Sequence, residues 1–136
     1  MTLTDAGPLI AIIDADEADH ETCALALRTL ALPLVTTWPA FTEAMYVLGR
    51  AGGAAGQHAL WKLLLSKRLD IAELSLAVLE RSAALMAKYA DRPMDLADAT
   101  LVALAEARGE RRIFTLDNDF RIYRIHGRTR FEVIPG

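Results

Sequence analysis

Four carboxylates in this chain stand where charge is ordinarily avoided. Asp5 is the only charged residue from Met1 to Ile13 and follows the apolar stretch around Leu3. Glu43 interrupts Ala40-Phe41-Thr42-Glu43-Ala44-Met45-Tyr46-Val47-Leu48, with no other charge between Arg28 and Arg50. Asp98 is followed by no further charge until Glu106, and Asp117 closes the run Ile113-Phe114-Thr115-Leu116. An unpaired buried charge costs several kcal/mol, and carboxylates gathered at one place raise one another's pKa. A hard divalent cation relieves both problems, because Mg2+ and Mn2+ prefer oxygen ligands and retain several waters. Zinc fits less well, since Cys23 is the only cysteine and His20, His58 and His126 are the only histidines. The chemistry on offer is therefore that of a divalent metal, which neutralises anionic charge and activates water.

Each carboxylate also has an ordinary structural use. Asp5 can cap a helix beginning near Pro8, and Asp95 can cap the helix that carries Asp98, with Asp98 as the third residue of a capping pair. Glu43 lies too deep in its helix to cap it, so its alternative is an ion pair with Arg50 or a distant arginine. Asp117 or Asp119 can cap a short turn between Asn118 and Tyr123, and for Asp119 capping and metal binding weigh equally. What favours the metal is position: all four break apolar sequence at the ends of elements.

Those elements follow from the pattern of apolar residues and breakers. A short strand around Leu3 ends near Asp5, and Pro8 suits the first turn of a helix reaching Ile12 or Ile13. Asp14 to Asp19 is a polar turn, and His20 to Leu32 reads as an amphipathic helix with Cys23, Leu27 and Leu30 on one stripe. After Pro33 comes a strand, Leu34 to Thr36, and Thr37-Trp38-Pro39 opens a helix that runs to Leu48 and meets Gly49, Gly52 and Gly53. A helix from Ala54 to Leu65 and a strand from Leu69 to Ala72 follow, then a helix capped by Ser75 and running through Ala90. Asp95 or Leu96 starts an unusually apolar helix that ends near Arg108, with Gly109 as its stop. Arg112 to Leu116 is a strand, Asp117 to Phe120 a turn, and Phe131 to Ile134 a last strand. Short, almost wholly apolar strands alternating with helices predict an α/β fold, a mainly parallel central sheet sandwiched by helices. Hairpin signals of the Asn-Gly or Asp-Gly kind are missing. In such folds ligands collect beyond the carboxyl ends of the strands, where Asp5 and Asp117 fall.

Composition narrows the classes further. At 136 residues and 53% apolar or aromatic content the chain suits one domain, 1–136, with a real core. No run approaches the length needed to cross a bilayer, the N-terminus lacks a secretory pattern, and a lone cysteine fits a reducing, cytoplasmic compartment. The net charge of −3 argues against a general nucleic-acid binder. Its distribution is less even: Arg108, Arg111, Arg112, Arg121, Arg124, Arg128 and Arg130, with His126, crowd the C-terminal quarter against Glu110, Asp117 and Asp119. Arg112, Arg121, Arg124, Arg128 and Arg130 are thus candidates for phosphate contacts, while Trp38 and Tyr123 are candidates for stacking on an unpaired base. Neither a Gly-x-Gly-x-x-Gly pattern nor a phosphate loop is present. The segment Gly49 to Leu65 carries Leu60, Trp61, Leu63, Leu64 and Leu65, more apolar bulk than one helix face needs, so part of it is a candidate contact for another chain.

Asp5-Ala6-Gly7-Pro8-Leu9, Glu43 within a helix, Asp95-Leu96-Ala97-Asp98-Ala99 and Thr115-Leu116-Asp117-Asn118-Asp119-Phe120, in this order, resemble the PIN domain family. The likeness is greatest to the small VapC-like ribonuclease toxins of type II toxin–antitoxin pairs and extends from Leu3 to about Arg124. It implies a PIN-like three-layer architecture, endoribonuclease activity dependent on Mg2+ or Mn2+, a homodimer and a cognate antitoxin protein. It places the family's acidic quartet on Asp5, Glu43, Asp98 and Asp117, with Asp119 as a further acidic position and Thr115 as the hydroxyl residue lining the site. On this reading Asp5 is the central ligand, Asp98 and Asp117 hold the ion directly or through water, and Glu43 ligates or positions the attacking water. Thr115 orients a carboxylate or a water. The competing readings are another metal-dependent phosphoesterase and a non-enzymatic interaction domain whose carboxylates only cap helices.

Overall fold

The structure, a computed structural model, describes residues 1–136. Its sheet strands are short, three residues each, and the two at the centre of the fold are the most deeply buried. β1 (Thr2–Thr4) and β2 (Leu34–Thr36) are buried at every position. With β3 (Leu69–Ile71), β4 (Arg112–Phe114) and the C-terminal strand β7 (Glu132–Ile134) they form one sheet in the order β3-β2-β1-β4-β7. Every pairing in it is parallel, with Leu3 opposite Val35 on one side and Ile113 on the other.

The pleat sends alternate side chains to opposite faces, and two apolar clusters result. Leu3, Val35 and Ile113 point into one, shared with α5 (Leu76–Lys88) and α6 (Leu96–Arg108). Leu34, Leu69 and Phe114 point into the other, shared with α1 (Ala6–Ile13), α2 (His20–Leu27), α3 (Trp38–Gly52) and α4 (Ala54–Leu65). Helices, sheet and helices make the three layers expected of the sequence. α6 is buried from Ala97 to Glu106, which explains why its sequence is apolar on every side. The caps follow the sequence too: Ser75 accepts from the Val78 amide, and Gly109 ends α6 in the left-handed region at φ 67°.

Three features differ most from expectation. α2 ends at Leu27 and unwinds through turns before Pro33, well short of Leu32. α3 does not stop at Gly49 but continues to Gly52, and Gly53 makes the break at φ 70°. Gly49 serves close packing instead: a Cβ there would run into the side chain of Gln57 on α4. The third difference is an antiparallel hairpin, β5 (Arg124–Ile125) and β6 (Thr129–Arg130). Its turn puts His126 (φ 52°) and Gly127 (φ 70°) at the two positive-φ positions. These are the backbone signs of the tight hairpin turn that Asn-Gly usually signals, here written His-Gly.

Candidate metal centre

Because β1 and β4 are parallel neighbours, the residues that follow them emerge side by side at one edge of the sheet. Asp5 leaves β1 as the cap of α1, its Oδ1 accepting from the Ala6 amide at 2.8 Å. Asp117 follows β4 and caps a 3-10 turn (Asn118–Arg121), accepting from the Asp119 amide at 2.9 Å. The N-terminus of α6 brings in Asp98, whose amide donates to the Oδ1 of the capping Asp95 at 2.8 Å. The carboxylate oxygens of Asp5, Asp98 and Asp117 lie within 4.8 Å of one another. Capping and clustering are thus the same arrangement: a cap fixes each backbone while carboxylate oxygens face inward.

The cleft they line holds about 290 Å3, and its walls are Asp5, Ala6, Gly7, Ile10, Glu43, Val47, Asp95, Asp98, Leu116 and Asp117. No lysine, arginine or histidine is among them. Asp5 and Asp98 are only 7% and 5% exposed. Burial, opposed by donation from Ala6 and Thr115 and aided by Asp117 and Asp95, leaves Asp5 above the usual carboxylate range. Burial and the charges of Asp5 and Asp95 push Asp98 up to about 8. An all-oxygen donor set, largely desolvated and without a counter-charge, is what a hard divalent cation requires. The residues present fit such an ion.

Glu43 lines the same cleft from α3 but stands outside the three-carboxylate group, at an exposed position on the rim. Its proton affinity is raised by burial of the carboxylate and then by Asp5, Asp95 and Asp117. The ion pair considered for it is not formed, since Arg50 donates to the Tyr46 hydroxyl instead.

Thr115 is buried and links two of the acids: its Oγ1 donates to Asp5 Oδ2 at 3.0 Å and accepts from the Asp117 amide at 3.0 Å. It braces the Asp5 carboxylate against the Asp117 backbone and has no surface to offer a substrate. Asp119 is not in the cluster, because its carboxylate faces Arg92 at 3.4 Å. Tyr123 is fully buried, which removes it as a stacking platform; its hydroxyl donates to Asp98 Oδ2 at 2.9 Å. Trp38 remains 54% exposed at the start of α3.

The arginines divide by place. Arg121 is exposed in the 3-10 turn beside Asp117. Arg124 is turned inward, its Nη1 donating to the carbonyls of Arg121, Ile122 and Tyr123. Arg112 sits at the far end of β4 from Asp117, 3.6 Å from Glu132. Arg128 and Arg130 belong to the hairpin, which is tied to the other end of α6 by the His126 amide donating to Glu106. Asp98 and Glu106 are eight positions apart on that helix, about 12 Å. The structure therefore does not bring Arg112, Arg128 or Arg130 to the carboxylates. Sequence reading missed the bidentate grip of Arg81 on Glu106, at 2.7 and 3.2 Å. The only local signal was a second lone charge, Glu106, late in an apolar helix.

Comparison with known proteins agrees with this geometry. The family model described as "PIN domain" matches residues 2–125. Ribonuclease VapC26 of Mycobacterium tuberculosis is 31% identical over 134 residues, covering 98% of this chain and 99% of that protein. Among solved structures, VapC20 of Mycobacterium tuberculosis, described as a sarcin-ricin loop cleaving toxin, superposes with a TM-score of 0.81 at 19% identity, covering 88% of this chain and 92% of its own. A toxin–antitoxin complex from Klebsiella pneumoniae gives 0.63 at 19% identity, over 87% and 88%. With its motif order, its sheet and its acidic cleft all in agreement, this chain belongs to the PIN domain family.

Proposed function

We propose that this protein is a divalent-metal-dependent endoribonuclease that hydrolyses RNA phosphodiester bonds, and that it is the toxin of a toxin–antitoxin pair. The observation that carries the reading is the convergence of Asp5, Asp98 and Asp117 within 4.8 Å in a cleft with no basic side chain. Family membership and the 31% identity to a VapC ribonuclease supply the reaction class.

Asp5, Asp98 and Asp117 are the residues that would hold Mg2+ or Mn2+. When bound, such an ion neutralises charge on phosphoryl oxygens and makes water a better nucleophile. Without it the cleft would repel a phosphodiester, so these acids select for substrate only in the loaded protein. Thr115 ties the Asp5 carboxylate to the Asp117 backbone, which keeps the two acids in register with each other. Glu43, on the rim and with raised proton affinity, is placed to accept a proton from the attacking water at its carboxylate. Arg121, exposed beside Asp117, is an arginine placed to meet a flanking phosphate, and Trp38 is an exposed aromatic available to an unpaired base. Both are specificity contacts, separate from the chemistry.

A homodimer and an antitoxin partner complete the proposal, in a cytoplasmic setting. Support for a protein partner comes from the segment singled out in the sequence. Leu60 is buried in this chain's own core, whereas Trp61 and Leu65 are 43% and 77% exposed. No helix is long and apolar enough to cross a membrane.

The test is cleavage of a mixed RNA pool with and without Mn2+, alongside DNA and a phosphomonoester, for wild type and Asp5→Asn. Asparagine still caps α1, so the variant should fold yet lose RNA cleavage by about 100-fold or more, equivalent to about 2.7 kcal/mol or more of barrier. Metal-independent cleavage, or full activity of Asp5→Asn, would refute the assignment.

A further inference from the structure

We infer that Tyr123 is a positioning residue for the metal centre: its hydroxyl holds one oxygen of Asp98 so that the other is presented to the cation. The inference rests on the metal reading of the carboxylate cluster and extends it to a residue outside the acidic motifs.

Tyr123 has no exposed surface, and its ring is fixed from two sides. Tyr89 meets it edge-on with centroids 5.1 Å apart, and Phe120 does so at 5.2 Å. Its amide is held as well, donating to the Asp119 carbonyl at 3.0 Å. The phenol therefore has one accessible orientation, and in it the only hydrogen-bond partner is Asp98 Oδ2 at 2.9 Å. A phenylalanine would fill the same aromatic pocket without the cost of desolvating a hydroxyl. What the hydroxyl adds is the bond to Asp98.

At the other end, the Asp98 amide is tied to Asp95. With the backbone and Oδ2 both held, Oδ1 is the one oxygen left without a protein donor. The neighbouring acids also take protein donors, Asp5 on both of its oxygens. Asp5 receives Ala6 and Thr115, and Asp117 receives the Asp119 amide. Of these donors, only Tyr123 comes from the chain beyond the 3-10 turn. Three acids within 4.8 Å repel one another, and a donor on the outer oxygen keeps Asp98 from turning away before the ion arrives. Donors to metal-ligating groups typically account for about 10- to 100-fold in metal affinity.

The experiment is calorimetric titration of Mn2+ into metal-free wild type, Tyr123→Phe, Asp98→Asn and the double variant, with thermal melts of each metal-free protein. Tyr123→Phe should bind Mn2+ about 10- to 100-fold more weakly while its metal-free melting temperature stays close to wild type. Its RNA cleavage should recover at saturating Mn2+, so that the half-saturating concentration moves and the maximal rate does not. In the Asp98→Asn background the same change should cost no further affinity, because its only route to the metal has gone. Tyr89→Phe, which removes a hydroxyl not bonded to any of the acids, should bind Mn2+ as wild type does. The inference is overturned if Tyr123→Phe binds Mn2+ normally, if it fails to fold, or if its loss persists in the Asp98→Asn background. A wild-type protein that binds no Mn2+ at all would overturn the metal reading itself, a different result from any of these.

Discussion

Asp98 shows how one side chain holds opposite values for fold and for function. Burial first, and the charges of Asp5 and Asp95 next, raise its pKa to about 8. In the unfolded chain it titrates near the ordinary value of 3.8. Between those values the unfolded state has already released the proton that the folded state still binds, so metal-free stability should fall as pH rises from about 4 to about 8. Asp98→Asn removes that penalty, and its amide oxygen can still accept from Tyr123. Metal-free Asp98→Asn should therefore be more stable than wild type at pH 7.5, by about 1–2 kcal/mol, with a flatter pH profile in urea melts. It should also bind Mn2+ far more weakly, though still measurably. A variant that unfolds would show that the residue is needed mainly as part of a capped helix. Asp5, Asp98 and Asp117 were legible in the sequence because each breaks an apolar run. Glu43 was legible as a lone charge, but its place on an exposed rim was not, since helical phase relative to the cleft depends on how α3 packs. The hydroxyl of Tyr123 was illegible for a related reason: which polar group it meets depends on how the ring packs.

At the scale of elements, α6 and the hairpin depend on one buried acid. Burial alone would raise the pKa of Glu106, but the two-pronged contact from Arg81 and the amide and charge of His126 outweigh it and hold the carboxyl below its usual range. The stability this contributes is present above the unfolded value near 4.5 and is lost as pH falls through the lower folded value. Because Glu106 is 5% exposed while Arg81 is 38% exposed, part of the ion pair is screened. Glu106→Gln should thus cost about 2–3 kcal/mol in urea denaturation at pH 7. Faster hydrogen exchange at the His126 amide should accompany it, with Mn2+ affinity nearly unchanged. A large loss of Mn2+ binding would mean that the two ends of α6 are coupled, contrary to this account. Element order and sheet class could be read in advance because the strands are short, apolar and set between helices. The hairpin could not, because a histidine occupies the positive-φ position where asparagine or aspartate would have announced it. The extension of α3 was hidden likewise, since Gly49 looks like a terminator and serves as a contact point for Gln57.

For the whole molecule, the clustered acids sit at one end of the sheet, and arginines, one of them facing Glu132, sit at the other. The carboxyl ends of the strands carry the acids, while Arg68, Arg111 and Arg112 lie at the amino ends of β3 and β4. A net charge of −3, which argues against a general nucleic-acid binder, says nothing of this distribution. An ion bound only by the folded state must stabilise it. At a free Mn2+ concentration a hundred times the dissociation constant, the gain should be about 2.7 kcal/mol, a rise of roughly 10 °C in melting temperature for a chain of this size. Asp5→Asn should show little of it. Equal shifts in both proteins would indicate binding elsewhere.

The hydrogen bond between Thr115 and Asp5 joins residues 110 positions apart, and β4 in turn is paired with the last strand of the chain. A ribosome making this protein therefore produces Asp5 well before the brace for that acid. Until β4 and the segment through Tyr123 have emerged, the nascent chain contains neither the parallel neighbour of β1 nor the donors that aim Asp5 and Asp98. Contacts this distant in sequence form late in folding. A chain interrupted before β4 should be unable to cut RNA, because the brace on Asp5 and the donor to Asp98 both lie beyond that point.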